Sequence, residues 1–231
     1  MLLLSFETSA KAASVALFDH EKLLGESYQL TALTHSQTLM VMAEDLLKQC
    51  RVTVGDLTHI AVAAGPGSFT GVRIGVAAAK GLAWGAALPC HGVSTLEAMA
   101  RGLGIRDGYI CAAMDARRSQ VYNAIFRAEA GTLTRMTEDR AIAIEDLRPE
   151  LEALSGPVWL VGDGAALCHA SLPFCLLPPQ WRQHQRAVGV GLAALAQIEA
   201  GIPGDGAGLT PNYLRLSQAE RERLERENRK E

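Results

Sequence analysis

Leu2-Leu3-Leu4-Ser5-Phe6-Glu7 and Tyr109-Ile110-Cys111-Ala112-Ala113-Met114-Asp115 open the two halves of this chain in the same way, as an apolar run closed by an acid. Glu7 leads into Thr8-Ser9-Ala10-Lys11 and Asp115 into Ala116-Arg117-Arg118, and a second apolar run follows each, Ser14 to Phe18 and Val121 to Phe126. Setting Glu7 on Asp115 brings Ala16-Leu17-Phe18 onto Ala124-Ile125-Phe126. Short apolar runs bounded by turn residues read as buried strands. Each half therefore begins as strand, acid, tight turn, strand. Later, His59 to Ala64 enters Gly65-Pro66-Gly67, and Val158 to Val161 enters Gly162-Asp163-Gly164-Ala165. Such self-similarity marks a duplicated unit. It predicts an α/β protein with one lobe over 1–104, a second over 105–217 and a charged tail over 218–231. The boundary is set where Gly102, Gly104 and Gly108 break a helical pattern.

Two helices are expected in the first lobe. Thr34 offers an N-cap for a helix reaching about Cys50, whose residues Leu39, Met42, Ala43, Leu46 and Cys50 follow the i, i+3, i+4 spacing of a core face. Met40 and Leu47 widen that apolar arc, and methionine adapts to irregular contacts. The loop Gly65-Pro66-Gly67-Ser68-Phe69-Thr70-Gly71 feeds a second helix running to about Gly85. Interior glycines cost a helix ~1 kcal/mol each relative to alanine, so their presence needs a reason. Gly71, Gly75 and Ala79 recur every fourth residue, as do Ala77, Gly81 and Gly85, and such spacing admits another backbone at close range. The first of these stripes, with Leu39, Met40 and Leu47, is the expected partner interface; packing within the lobe is the alternative reading.

Composition narrows the functional classes. Hydrophobic residues make up 48% and charged residues 20%, an ordinary balance for a globular chain. The net charge of −3 gives no basic excess for an autonomous grip on nucleic acid. Cysteines 50, 90, 111, 168 and 175 form no Cys-x-x-Cys pair and read as reduced, structural thiols. The histidines show no His-x-x-x-His, so a zinc hydrolase has no ligands to stand on. The apolar N-terminus lacks a basic flank and reaches Glu7 too soon for a signal segment or membrane span, so a cytoplasmic location is expected.

The loops carry less chemistry than their composition suggests. Strand-end turns such as Glu7-Thr8-Ser9 and Asp115-Ala116-Arg117 can offer amides and hydroxyls to phosphate while the acid holds a metal ion. A plain hairpin with a turn-stabilising acid fits them as well. The Gly65–Gly71 loop lacks the Gly-Lys-Ser/Thr ending of a Walker A loop and breaks the Gly-x-Ser-x-Gly of a nucleophile elbow. Ser68 is then a helix cap. Glu7, Thr8, Ser9, Ser68 and Asp115 remain the candidate phosphate-loop residues.

Taken together, the strand-hairpin Leu2 to Leu17, His35-Ser36-Gln37, the Gly65-to-Gly75 segment, Gly92-Val93-Ser94-Thr95-Leu96, Asp115-Ala116-Arg117-Arg118, Gly162-Asp163-Gly164-Ala165 and Pro211-Asn212-Tyr213-Leu214-Arg215 resemble the TsaB family. That family lies within the actin-like ATPase superfamily and is related to the catalytic subunit TsaD. The resemblance implies two actin-like lobes, each a mixed sheet with flanking helices. It implies a heterodimer with TsaD built largely from the first two helices, joined by the ATPase TsaE, and a homodimer when the chain is alone. The implied role is a non-catalytic scaffold that activates TsaD to form N6-threonylcarbamoyladenosine at adenosine 37 of tRNAs reading codons that begin with A. ATP and metal belong to the partner subunits, and tRNA is met only through the complex.

Two departures bear on catalysis. The first strand in this family usually ends in Asp-Thr-Ser, and here Glu7 replaces the aspartate. The catalytic subunit's histidine pair is missing, since His35 is followed by Gln37 with no second histidine. No cofactor or metal of its own is therefore expected. An actin-fold ATPase or glycoprotease-like hydrolase acting alone is the alternative.

Overall fold

The computed structural model describes residues 1–31, 33–104 and 107–215; the tail expected over 218–231 lies outside the described residues. The chain runs β1 (Leu2–Glu7), β2 (Ala13–Asp19), β3 (Lys22–Gln29), α1 (His35–Gln49), β4 (His59–Gly65), α2 (Phe69–Gly85), β5 (Cys90–Ser94) and α3 (Thr95–Leu103). It continues through β6 (Gly108–Asp115), β7 (Gln120–Glu129), β8 (Thr132–Arg135), β9 (Arg140–Ala143), α4 (Ile144–Glu152), β10 (Val158–Val161), α5 (Ala165–Ser171) and α6 (Ala187–Glu199).

The first sheet has the order β3-β2-β1-β4-β5. β1 pairs antiparallel with β2 and parallel with β4, and β5 adds parallel to β4. Helices cover both faces of its centre, so β1 and β4 are buried throughout and read as nearly continuous apolar runs. The second sheet repeats the plan in the order β10-β6-β7-β8, with β9 also pairing β7. β6 takes the place of β1, between an antiparallel β7 and a parallel β10. Even the exits match: Gly65 ends β4 at φ 113°, and Gly162 follows β10 at φ 110°, angles that side-chain-bearing residues rarely adopt. Two mixed sheets with flanking helices are the architecture expected of two actin-like lobes.

The linear division of the chain needs one correction. The last strand of the first sheet ends at Ser94 and the first strand of the second begins at Gly108. α6, however, crosses back: Ala187, Val190, Ala193, Ala194 and Leu195 pack with Leu3, Ala16, Phe18, Ala61 and Val93 on the first sheet. Gly189 lets it lie against α3, because a Cβ there would come 2.0 Å from the Ala98 carbonyl oxygen. Leu209 also joins the core of the first lobe. The span 105–217 thus contains the second lobe and then returns to complete the first. No described helix is long and apolar enough to cross a membrane.

Candidate functional site

The two acid-ended strands meet at a cleft of about 470 Å³ between the lobes. Ser9, Lys11 and Gly67–Phe69 line it on one side, Asp115, Arg117, Tyr122 and Asp163 on the other, with Asn212–Arg215 along its edge. This is where the duplication places its paired turns, and all five candidate phosphate-loop residues lie on them. Four of the five side chains bond the protein's own backbone, and the buried Ser9 hydroxyl has no partner.

Glu7 is fully buried. Its Oε1 accepts the Ser9 amide, and its Oε2 has no partner. Burial is the main force lifting its carboxyl to about 7, with the nearby Asp163 charge adding to it, against the pull of the Ser9 and Thr8 hydrogen bonds. The carboxyl is enclosed in the lobe, and Glu7 is absent from the cleft lining. Thr8 donates its hydroxyl to the Gly71 carbonyl at 2.8 Å. Ser9 O takes the Ser68 amide at 2.6 Å, and the Ser68 hydroxyl caps α2 by accepting the Gly71 amide at 3.3 Å. Asp115 turns its Oδ1 onto the Arg117 amide at 2.7 Å. Asp163, the other acid lining the cleft, accepts from Gln185 at 2.8 Å, and burial raises its carboxyl above the usual range. Among the described residues no group of three or more His, Cys, Asp or Glu is placed to hold a metal ion.

A C-terminal strap closes the edge of the cleft. Lys80 on α2 donates to the Leu209 carbonyl at 2.8 Å, the Asn212 amide to Ala64 O at 2.6 Å, and Arg215 to Ala116 O at 2.8 Å. The strap therefore ties the first lobe to the turn after β6 in the second. Gly65 is required under it, since a Cβ there would lie 2.5 Å from the Asn212 carbonyl oxygen.

The structure divides the expected interface residues. Gly71 and Gly75 face inward: a Cβ at Gly71 would sit 2.1 Å from the Thr8 carbonyl oxygen, and one at Gly75 2.4 Å from Thr8 Oγ1. Ala79 and Leu39 are buried in the core of the same lobe. These four hold α1 and α2 in place and do not face a partner, so their assignment to an interface is corrected. Leu47 is mostly buried but forms part of the floor of an apolar groove of about 550 Å³, together with Val54 and Leu82. Met40, 44% exposed, stands on its wall.

The outward face belongs to the other small-residue stripe. Ala77, Gly81 and Gly85 are exposed, and Cβ atoms at Gly81 and Gly85 would meet nothing within 4 Å. Between them stands Trp84, 89% exposed, and Val41 of α1 is 55% exposed. Spacing had revealed both stripes but could not say which one the fold consumes. Thr8 decides it, by occupying the space beside Gly71 and Gly75.

Comparison with known proteins agrees with this architecture. The chain is 33% identical, over 97% of its length and 99% of the relative's, to the tRNA threonylcarbamoyladenosine biosynthesis protein TsaB of Bacillus subtilis. The chain belongs to the TsaB family. The Escherichia coli TsaB is 37% identical over 71% of this chain and 72% of its own. The family model for TsaD, tRNA N6-adenosine threonylcarbamoyltransferase, matches residues 22–205. A Pseudomonas aeruginosa crystal structure, described as an uncharacterized protein with similarity to the peptidase YEAZ, superposes with a TM-score of 0.80 at 26% identity, covering 93% of this chain and 99% of that one. Membership of the TsaB family places the chain in threonylcarbamoyladenosine biosynthesis.

Proposed function

We propose that this chain is a non-catalytic scaffold that binds a TsaD-type subunit through the outward faces of α1 and α2 and thereby activates it. The product is N6-threonylcarbamoyladenosine at adenosine 37 of tRNAs reading codons that begin with A. TsaE joins the pair, and ATP and metal act on those partner subunits. A homodimer on the same face forms when TsaD is absent. The protein works in the cytoplasm.

The observation that carries this reading is the face around Trp84. A solvent-facing tryptophan flanked by open glycines on α2, on a helix pair that also carries an apolar groove walled by Met40 and Val41, supports a covered surface. The buried Glu7 and the Thr8 and Ser68 hydroxyls support the reading as well, because they are engaged with the protein's own backbone. Trp84 touches no core cluster, so Trp84→Glu tests the face without disturbing the fold. Co-purification with TsaD should be lost in this variant while its melting temperature stays within ~1 °C of wild type. Undiminished binding of TsaD by Trp84→Glu would remove the proposed face.

A further inference from the structure

The described arginines differ in what they face. Arg101, Arg127, Arg135, Arg140, Arg148 and Arg186 each face a carboxylate. Arg73, Arg117, Arg118 and Arg215 face none within 4 Å among the described residues: Arg117 and Arg215 line the lobe cleft, Arg118 follows Arg117 in the same turn, and Arg73 contacts Phe69 and Tyr213 of the lining. Lys11 lines the same cleft and is likewise without a described ion-pair partner. Arg51 and Arg182 are also without one but lie elsewhere, Arg182 stacked on Trp181. Among the described residues of a protein of net charge −3, four of the six guanidinium groups without a carboxylate partner thus gather around one concavity.

The turn that carries two of them is strained. Arg117, Arg118 and Ser119 have φ of 67°, 55° and 56° in succession. Left-handed backbone costs a side-chain-bearing residue ~1–2 kcal/mol, which is why glycine or asparagine usually fills such positions. Here the conformation is held by the Asp115 carboxylate on the Arg117 amide, by Ile144 N donating to Ser119 O at 3.1 Å, and by Arg215 on Ala116 O. Strain supported in this way, at an exposed pair of arginines, suggests that the side chains are wanted where they are. Beside them Arg73 lies 3.7 Å over the Phe69 ring and donates to the Tyr213 hydroxyl at 2.7 Å. Phe69 and Tyr213 are themselves stacked at 4.7 Å.

We propose that this rim, Lys11, Arg117, Arg118 and Arg215 with the Arg73–Tyr213 stack at its edge, is a docking surface for the phosphate backbone of RNA. The inference rests on the function proposed above, and the RNA is the tRNA presented to the complex. Arginine with stacked aromatics favours nucleic acid over an acidic protein segment: the guanidinium fork matches phosphate, and the aromatic rings offer a platform to an unpaired base. The cations of the rim outnumber the two acids lining the cleft, Asp115 and Asp163, so its balance stays positive. Arg73 also belongs to α2, the helix that carries the face proposed for TsaD. A few contacts of this kind add to an affinity built mainly by a partner, in keeping with the weak grip expected of the isolated chain.

The test uses the complex of this chain with TsaD and measures tRNA binding between ~50 and ~200 mM salt. Arg117→Glu with Arg118→Glu is compared with wild type and with Arg127→Glu, a control on the β7–β8 hairpin. The expected result is intact assembly, a tRNA Kd raised about tenfold or more for the double variant only, and a log–log salt slope shallower by ~1.5, about 0.7–0.9 per lost phosphate contact. Unchanged Kd and slope would overturn the proposal. Loss of TsaD association with tRNA affinity otherwise preserved would also overturn it, by showing that the rim takes an acidic protein partner. If wild-type chain fails to bind TsaD, the proposed function fails, and the same slope comparison on the isolated chain with tRNA decides the rim by itself.

Discussion

Replacing Glu7 with glutamine probes the buried acid at the end of β1 with little change of shape. The Glu7 carboxyl is raised from its ordinary 4.5 to about 7, chiefly by burial. A folded-state value above the unfolded one means that the folded protein holds the proton more tightly. The associated stability is fully present below pH 4.5 and is lost as pH rises through about 7. Each unit is worth ~1.4 kcal/mol, so the loss amounts to ~3 kcal/mol between those limits. Glutamine cannot ionise and keeps an oxygen to accept the Ser9 amide. The melting temperature of Glu7→Gln relative to wild type should therefore climb by ~5–10 °C between mildly acid and alkaline conditions. Subtracting the two pH profiles removes the histidines and other carboxylates, which titrate alike in both proteins. Thermal or urea unfolding of both proteins at a series of pH values supplies the comparison. A difference that stays constant with pH would refute the claim that Glu7 is held proton-rich inside the lobe.

Other consequences follow from packing and burial. Gly71→Ala should lower stability by at least ~1–3 kcal/mol in urea melts, because the Thr8 backbone, not a flexible side chain, occupies the space its Cβ needs; Gly81→Ala should be neutral or slightly stabilising, since nothing lies within 4 Å. His91 is buried with both ring nitrogens unpartnered, and burial and the neighbouring His59 hold it below the usual imidazole value. Its stability contribution is therefore present above the unfolded value of 6.5 and lost as pH falls through the lower folded value, so His91→Phe should flatten the acid limb of the stability curve.

Much of this fold is readable in the sequence because its strands announce themselves. β1, β2, β6 and β7 are apolar runs ended by acids and turns, and the Gly65 and Gly162 exits recur because both strands must leave at positive φ. α1 and α2 show helical spacing and begin within a few residues of the expected caps. α6 is harder to read. Its Ala187-Val188-Gly189-Val190-Gly191-Leu192 start has no polar face to set a period, because it is covered by the first sheet on one side and by α3 on another. Its glycines make sense only once Ala98 and the Phe18 ring are seen beside them. For the same reason a return of the chain to the first lobe was not legible. The functional surfaces were half legible. Spacing found two small-residue stripes on α2, but only the position of Thr8 says that Gly71 and Gly75 face inward and Gly81 and Trp84 outward. The candidate phosphate loops were found as loops, while the bonds of Glu7, Thr8, Ser68 and Asp115 to nearby backbone are a matter of three-dimensional contact.

The central claim is that this chain activates a catalytic partner through the Trp84 face and performs no chemistry itself. It is tested most directly by reconstituting N6-threonylcarbamoyladenosine formation on tRNA with TsaD and TsaE, supplying wild-type chain, Glu7→Gln or Trp84→Glu. The account predicts product with wild type and with Glu7→Gln at equal rates, and background product with Trp84→Glu. Full activity with Trp84→Glu, or activity lost with a folded Glu7→Gln, would contradict it.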